Sequence, residues 1–202
     1  MQARINWFGL AGGVTTIVVI IASLFYPWWQ LTVGENLVNA NASPLNTNFD
    51  VLGTTFTMPL LWAINLVSLL TLIASSITMI VYSLFPAKSY SKQLLGFAYK
   101  KPLFMLLSFV IVLFALTLLV QLILHFNVPL AGSVNSTLPI PFIQGTTISV
   151  LISTGFQLPF WLAVVAAGLC IAARIYHKKV ASTQKPATAP AAPASPTVAT
   201  AQ

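Results

Sequence analysis

Acidic side chains are nearly missing from this chain. Glu35 and Asp50 are the only two among 202 residues, and charged residues of either sign make up 5%. An ordinary soluble domain carries about 25%. The deficit excludes a charged, water-facing surface. With a hydrophobic fraction of 57% and a mean hydropathy of +0.90, the chain reads as an integral membrane protein. Cysteine is reduced to Cys170, inside an apolar run. That excludes an intrachain disulfide and a Cys-rich metal site. Nucleophile elbow, Gly-rich phosphate loop, HExxH and CxxC patterns are all missing. We therefore expect no enzyme activity, no metal and no cofactor.

The charge that is present has one sign and one location. The nine Lys/Arg residues give a formal charge of +7, which in a soluble protein would suggest nucleic acid. Here every one of them flanks an apolar run, where basic residues set topology and meet anionic lipid. No nucleic-acid partner is expected; the bilayer itself is.

Four apolar runs are long enough to cross a bilayer, at about residues 7–26, 58–85, 102–126 and 158–176, the last reaching Arg174, whose stem can snorkel to the headgroups. The second, Met58–Phe85, would reach roughly 42 Å at 1.5 Å per residue, against a hydrocarbon core of about 30 Å. The first is long for a signal peptide and has no Ala-x-Ala cleavage pattern, so it reads as a retained span. Gly9/Gly13 in the first span, and Ala163/Ala167 and Gly168/Ala172 in the fourth, have the small-xxx-small spacing of close helix packing. Pro102 is expected to open the third span, as Pro59 opens the second, because a first-turn proline loses no hydrogen bond.

Arg4, the 86–101 connection, Arg174 and the start of the tail fall on one side of this arrangement. Connections 27–57 and 127–156 carry no Lys or Arg. The positive-inside rule then places both termini in the cytoplasm of a multi-pass cell-membrane protein. Two sequons, at Asn41 and Asn135, fall in the outer connections and make both asparagines glycosylation candidates. Trp29–Val33 and Phe49–Phe56 have strand-forming composition, which suits a short antiparallel sheet. The fold class expected is all-α: a four-helix transmembrane domain over 1–179 with a small extracellular loop subdomain. A disordered Ala/Pro/Thr-rich tail is expected over 180–202. All five tryptophans lie near span ends, where an aromatic belt belongs.

The second span has a polar stripe of Asn65, Ser68, Thr71, Ser75, Thr78 and Tyr82, spaced as one helix face. The third offers Thr117, Gln121 and His125 at i+4 steps, and Asn65 could meet Gln121 at similar depth. These residues are expected to make intrabundle polar contacts, since Ser and Thr can bond their own i−4 carbonyl. Their functional alternative is a polar lining. His125 and His177 lie at opposite membrane faces, so the chain alone cannot hold a bis-His haem. Glu35 and Asp50 are the only candidates for an acid/base or cation pair, and as two acids in a long loop they read as solvated turn residues.

Phe56-Thr57-Met58-Pro59 is echoed by Phe156-Gln157-Leu158-Pro159, which hints at a duplicated helix–loop–helix unit. The four spans, cytoplasmic termini and strand-bearing first loop resemble the topology of claudin-type four-helix proteins. The resemblance is one of topology only. The claudin loop carries a Trp-Gly-Leu-Trp motif with paired cysteines, whereas residues 27–57 contain Trp28-Trp29 and no cysteine. It implies no function here. The expected function is structural: an accessory subunit or surface organiser whose outer loops contact a partner protein or neighbouring copies. The alternative is a small channel or carrier for an uncharged solute, lined by the second span.

Overall fold

The computed structural model describes residues 5–35, 37–86, 88–124, 127–139 and 147–182. The expected tail, Arg4 and His125 lie outside them, apart from the helical residues at the tail's start. Four helices are long and apolar enough to cross a membrane. They are α1 (Trp7–Phe25), α2 (Pro59–Leu84), α3 (Ser91–Leu124) and α4 (Leu158–Ser182).

The connections are more ordered than an all-α class allows. They build β1 (Trp29–Val33), β2 (Val38–Ala42), β3 (Asn48–Val51), β4 (Thr54–Phe56), β5 (Gly132–Pro139) and β6 (Thr147–Phe156). These form one antiparallel sheet in the order β4-β3-β2-β1-β6-β5. The class is therefore helical bundle plus sheet. The first and second loops join where β1 pairs β6, with Trp29 opposite Phe156. The expected strand over 49–56 is two strands, because Leu52 and Gly53 turn the chain with φ of 49° and 78°. Gly tolerates that conformation and Leu does not, so the tip stores some strain.

Packing among the helices is uneven. Gly9, Gly12 and Gly13 are buried on α1. A Cβ on Gly13 would lie 2.7 Å from Ile80 Cγ1 and 3.2 Å from the Ser76 carbonyl. A Cβ on Gly12 would lie 3.1 Å from Cys170 Sγ and 3.3 Å from its backbone nitrogen on α4. Small residues thus let α1 meet α2 and α4 at backbone distance, where dispersion contacts hold helices together in lipid. Ala163 and Ala167 are buried as their spacing predicts. Gly168 is not: it is exposed with open space around it, so the Gly168/Ala172 pair is not a packing seam.

The tryptophans divide as well. Trp7, Trp62 and Trp161 are exposed at helix ends. Trp28 is internal, packed edge-on against Phe109 and Phe160, and its indole N–H donates to Ser23 Oγ at 2.7 Å. Trp29 is also buried and donates to the Leu130 carbonyl at 2.7 Å. These two therefore do not belong to an interfacial belt. They are the studs that fix the sheet to the bundle.

The Phe-x-x-Pro echo marks the same junction twice, since Phe56 ends β4 before α2 and Phe156 ends β6 before α4. The loops feeding those junctions differ, with four strands in one and two in the other.

A substitution pair tests the seam. Gly13→Val should lower stability by about 1–3 kcal/mol, because backbone on α2 cannot move aside. Gly168→Ala should be neutral or raise stability by up to about 1 kcal/mol through helix propensity. Thermal unfolding of both variants in detergent reads the difference.

Candidate functional site

At the helix ends far from the sheet, Asn6 ties three elements together. Its Nδ2 donates to Tyr82 Oη at 2.8 Å and to the Ala173 carbonyl at 3.0 Å. Its Oδ1 accepts from Gly9 N–H, capping α1, and its own N–H donates to the Ser83 carbonyl at 3.0 Å. Tyr82 Oη in turn lies 2.9 Å from His177 Nδ1. The knot is buried and its amide is fully used, as a polar group in an apolar bundle must be. His177 belongs to this packing.

The polar stripe on α2 divides along its length. Thr71 and Thr78 donate to their own i−4 carbonyls, Val67 and Ala74. Ser75 does something different. Its Oγ donates across to the Ala98 carbonyl of α3 at 2.8 Å, in full burial. Ala98 is four residues before Pro102, which has no N–H to give it. The α2 serine therefore fills the vacancy that the proline leaves. This is why α3 begins at Ser91 and not at Pro102: the break expected there is repaired from the neighbouring helix.

Asn65 does not meet Gln121. With its amide turned so that both atoms are satisfied, Nδ2 donates to the Pro44 carbonyl at 3.2 Å and Oδ1 accepts from Thr47 N–H at 3.0 Å, clamping the β2–β3 connection onto α2. Gln121 is exposed. Thr117 bonds the Phe114 carbonyl of its own helix. The reason lies in α3, which packs through its first half, with Leu95 and Ala98 buried, and beyond Phe109 draws away until only Leu113 and Thr117 are buried among the described residues. Ile111, Phe114, Leu118, Leu122 and Ile123 are all exposed.

The departure leaves a lateral cavity of about 700 Å³ between α2, α3 and the sheet. Leu61, Ile64, Asn65, Ser68 and Thr71 line one wall; Leu113, Leu116 and Thr117 line the other. Trp29, Leu31 and Phe49 roof it, and Lys101 sits at its foot. Upper members of the stripe thus face the cavity, whereas Ser75 and Tyr82 lie outside it in packing.

The sheet has two unlike faces. One carries the apolar row Val134–Ile152–Val33–Val38–Val51, continuous across five strands. Buried Ile152, Val150 and Ala40 show that this face turns inward. The other carries Ser133–Ser153–Thr32–Asn39–Asp50–Thr55, polar across all six strands. Asp50 is part of that row. Glu35 is exposed in the β1–β2 turn. Of the two sequon asparagines, Asn135 is exposed on the edge strand β5. Asn41 is half-buried in the interior strand β2, with its Oδ1 enclosed and unpartnered. Among the described residues, no three His, Cys, Asp or Glu side chains gather as a metal site.

The chain matches no known protein-family model and no curated protein.

Sequence reasoning passed over Asn6, whose partners Tyr82 and Ala173 are distant in the chain, and Ser23, which accepts from Trp28 just beyond its own helix. A buried asparagine immediately before an apolar helix was the available signal, since that residue is a preferred N-cap.

Ser75 and Pro102 form a testable pair. Ser75→Ala leaves a buried carbonyl without a donor and should cost about 1–3 kcal/mol. Pro102→Ala restores the helix's own donor, so adding Ser75→Ala to it should cost well under about 1 kcal/mol. A double-mutant cycle on unfolding free energy reads the coupling. Additive losses would show that the two residues do not serve one carbonyl.

Proposed function

We propose that this chain is a cell-membrane protein of structural or accessory-subunit type. In this reading both termini are cytoplasmic, the tail is disordered, and the sheet is displayed outside to meet a partner or neighbouring copies. The observation that carries it is the polar row crossing all six strands on the outward face. A sheet with one face seated on helices and the other lined by Ser, Thr, Asn and Asp offers many hydrogen-bonding groups at fixed spacing. Among the described residues, β4 and β5 each pair on one side only, which leaves the sheet two edges. An unpaired edge strand is a template for another chain. Asn135, on one of those edges, is the sequon we assign to glycosylation.

The channel or carrier alternative has less support. A pathway needs free polar groups along its length, whereas Thr71, Ser75 and Thr78 spend their hydroxyls on carbonyls.

Purification of the full chain in mild detergent tests the interaction. A stoichiometric partner or a defined homo-oligomer is expected. Ser133→Lys with Ser153→Lys, on the outward row, should reduce it at least tenfold while leaving the unfolding temperature unchanged. A lone monomer in every mild detergent would overturn the proposal. Topology has its own test: Lys100→Cys should be labelled by an impermeant thiol reagent only after the membrane is opened. Labelling from outside intact cells would reverse the orientation.

A further inference from the structure

The cavity between α2 and α3 has a shape, a lining and a charge that together specify an occupant. Its α3 wall runs from Lys101 to Val120, roughly 28 Å at 1.5 Å per residue. That length is close to the roughly 30 Å hydrocarbon thickness of a bilayer. Spread over it, the volume of about 700 Å³ gives a mean cross-section of about 25 Å². A helix with its side chains is 10–12 Å across, or roughly 80–110 Å² in section, so it cannot enter. A single hydrocarbon chain can. The walls are mostly aliphatic and aromatic, and the hydroxyls of Thr71 and Thr117 already serve their own helices. Water would find few partners there.

The foot of the cavity differs in kind. Lys101 is half-buried, and its ammonium lies 5.4 Å from the centre of the Phe97 ring. Arg174, the other cation described near this level, stacks over Tyr99 at 4.4 Å, and Lys100 beside it is exposed. Both carboxylates of the whole chain belong to the sheet's strands and turns, at the opposite end of the cavity. Lys101 therefore has no acidic partner within its own chain, and its counter-charge must come from outside.

We propose that this groove holds one bilayer lipid with an anionic headgroup. The phosphate meets Lys101, and an acyl chain lies between α2 and α3 as far as the roof formed by Trp29 and Leu31. The inference is independent of what the sheet binds. A bound lipid completes the packing that α3 leaves open and matches the cation at the groove's foot.

The test uses the full chain in vesicles of phosphatidylcholine containing a minority of phosphatidylglycerol. The protein is extracted in mild detergent and retained lipid is counted by native mass spectrometry. About one phospholipid per chain should survive, with phosphatidylglycerol enriched about fivefold over its share of the vesicle, the size of effect one lysine near an anionic surface produces. Lys101→Gln should keep a lipid but lose the enrichment. Leu116→Trp, at a half-exposed position, should fill the groove and reduce retained lipid of either type at least tenfold. Ile21→Trp, on an exposed face of α1, should change neither. Unfolding temperatures establish that each variant is folded. Should Leu116→Trp not fold, Ser68→Trp fills the opposite wall, and the enrichment lost in Lys101→Gln stands as a separate reading. The proposal is overturned if the parent chain retains no lipid, if the groove-filled variant retains as much, or if Lys101→Gln keeps the enrichment. It is equally overturned if a second copy or another protein is displaced by the groove-filling change.

Discussion

The hydrogen bond from Ser75 to the Ala98 carbonyl is the constraint on which the shape of the bundle turns. A proline inside a helix removes one donor and crowds the preceding turn, at a cost of about 3 kcal/mol or more. In an apolar bundle the abandoned carbonyl has no water to turn to. A donor from α2 satisfies that carbonyl, and α3 continues through Pro102 to a length of 34 residues. Below that point α3 is packed against α2 and α4 through Leu95 and Ala98; above it the helix is largely exposed. The serine–proline pair thus carries α3 past its proline, so that Met105, Leu106 and Phe109 can still pack on the bundle before the helix becomes mostly exposed.

The rest of the bundle is held by other means. α1 contributes three buried glycines and an asparagine whose every polar group is satisfied. Close backbone approach and a saturated polar knot are complementary. The first supplies dispersion contact over a wide area, and the second fixes the helices in one register. At the opposite end Trp28 and Trp29 do the equivalent for the sheet. Each buries a large ring and places its single N–H on a partner, which is the condition for sinking a tryptophan at all.

The four helices were legible because an apolar run of such length has few other physical meanings. The start of α3 was not, because reading Pro102 as a helix opener assumes that nothing repairs the backbone. Ser75 lies on another helix, and its role is invisible without knowing which helices touch. β1 was legible from Trp, Leu, Thr and Val in alternation. β2, Val-Asn-Ala-Asn-Ala, was not, since asparagine and alanine are depleted in strands. It is a strand because β1 and β3 flank it and because its alternate residues split cleanly between the sheet's two faces. The polar stripe on α2 was visible as a pattern, yet its division into packing and cavity depends on where α3 departs. Asn65 was read as facing Gln121 on another helix, whereas the groups within its reach are backbone atoms of the preceding loop.

The placement of β1 between β2 and β6 has a consequence for how the protein is made. The chain emerges from its N-terminus, so β1 to β4 can assemble early, as neighbouring hairpins. One side of β1 must then wait for β6, more than a hundred residues downstream. Asn6 waits longer, because the Ala173 carbonyl arrives only with the last helix. Until α4 has been made, the nascent protein therefore exposes a raw strand edge at one end of the helices and an amide short of one acceptor at the other. Both close in the same event, the arrival of α4 and the strand that leads into it. A stalled or truncated chain lacking α4 would keep both lesions open, giving quality-control machinery two separate marks by which to recognise it.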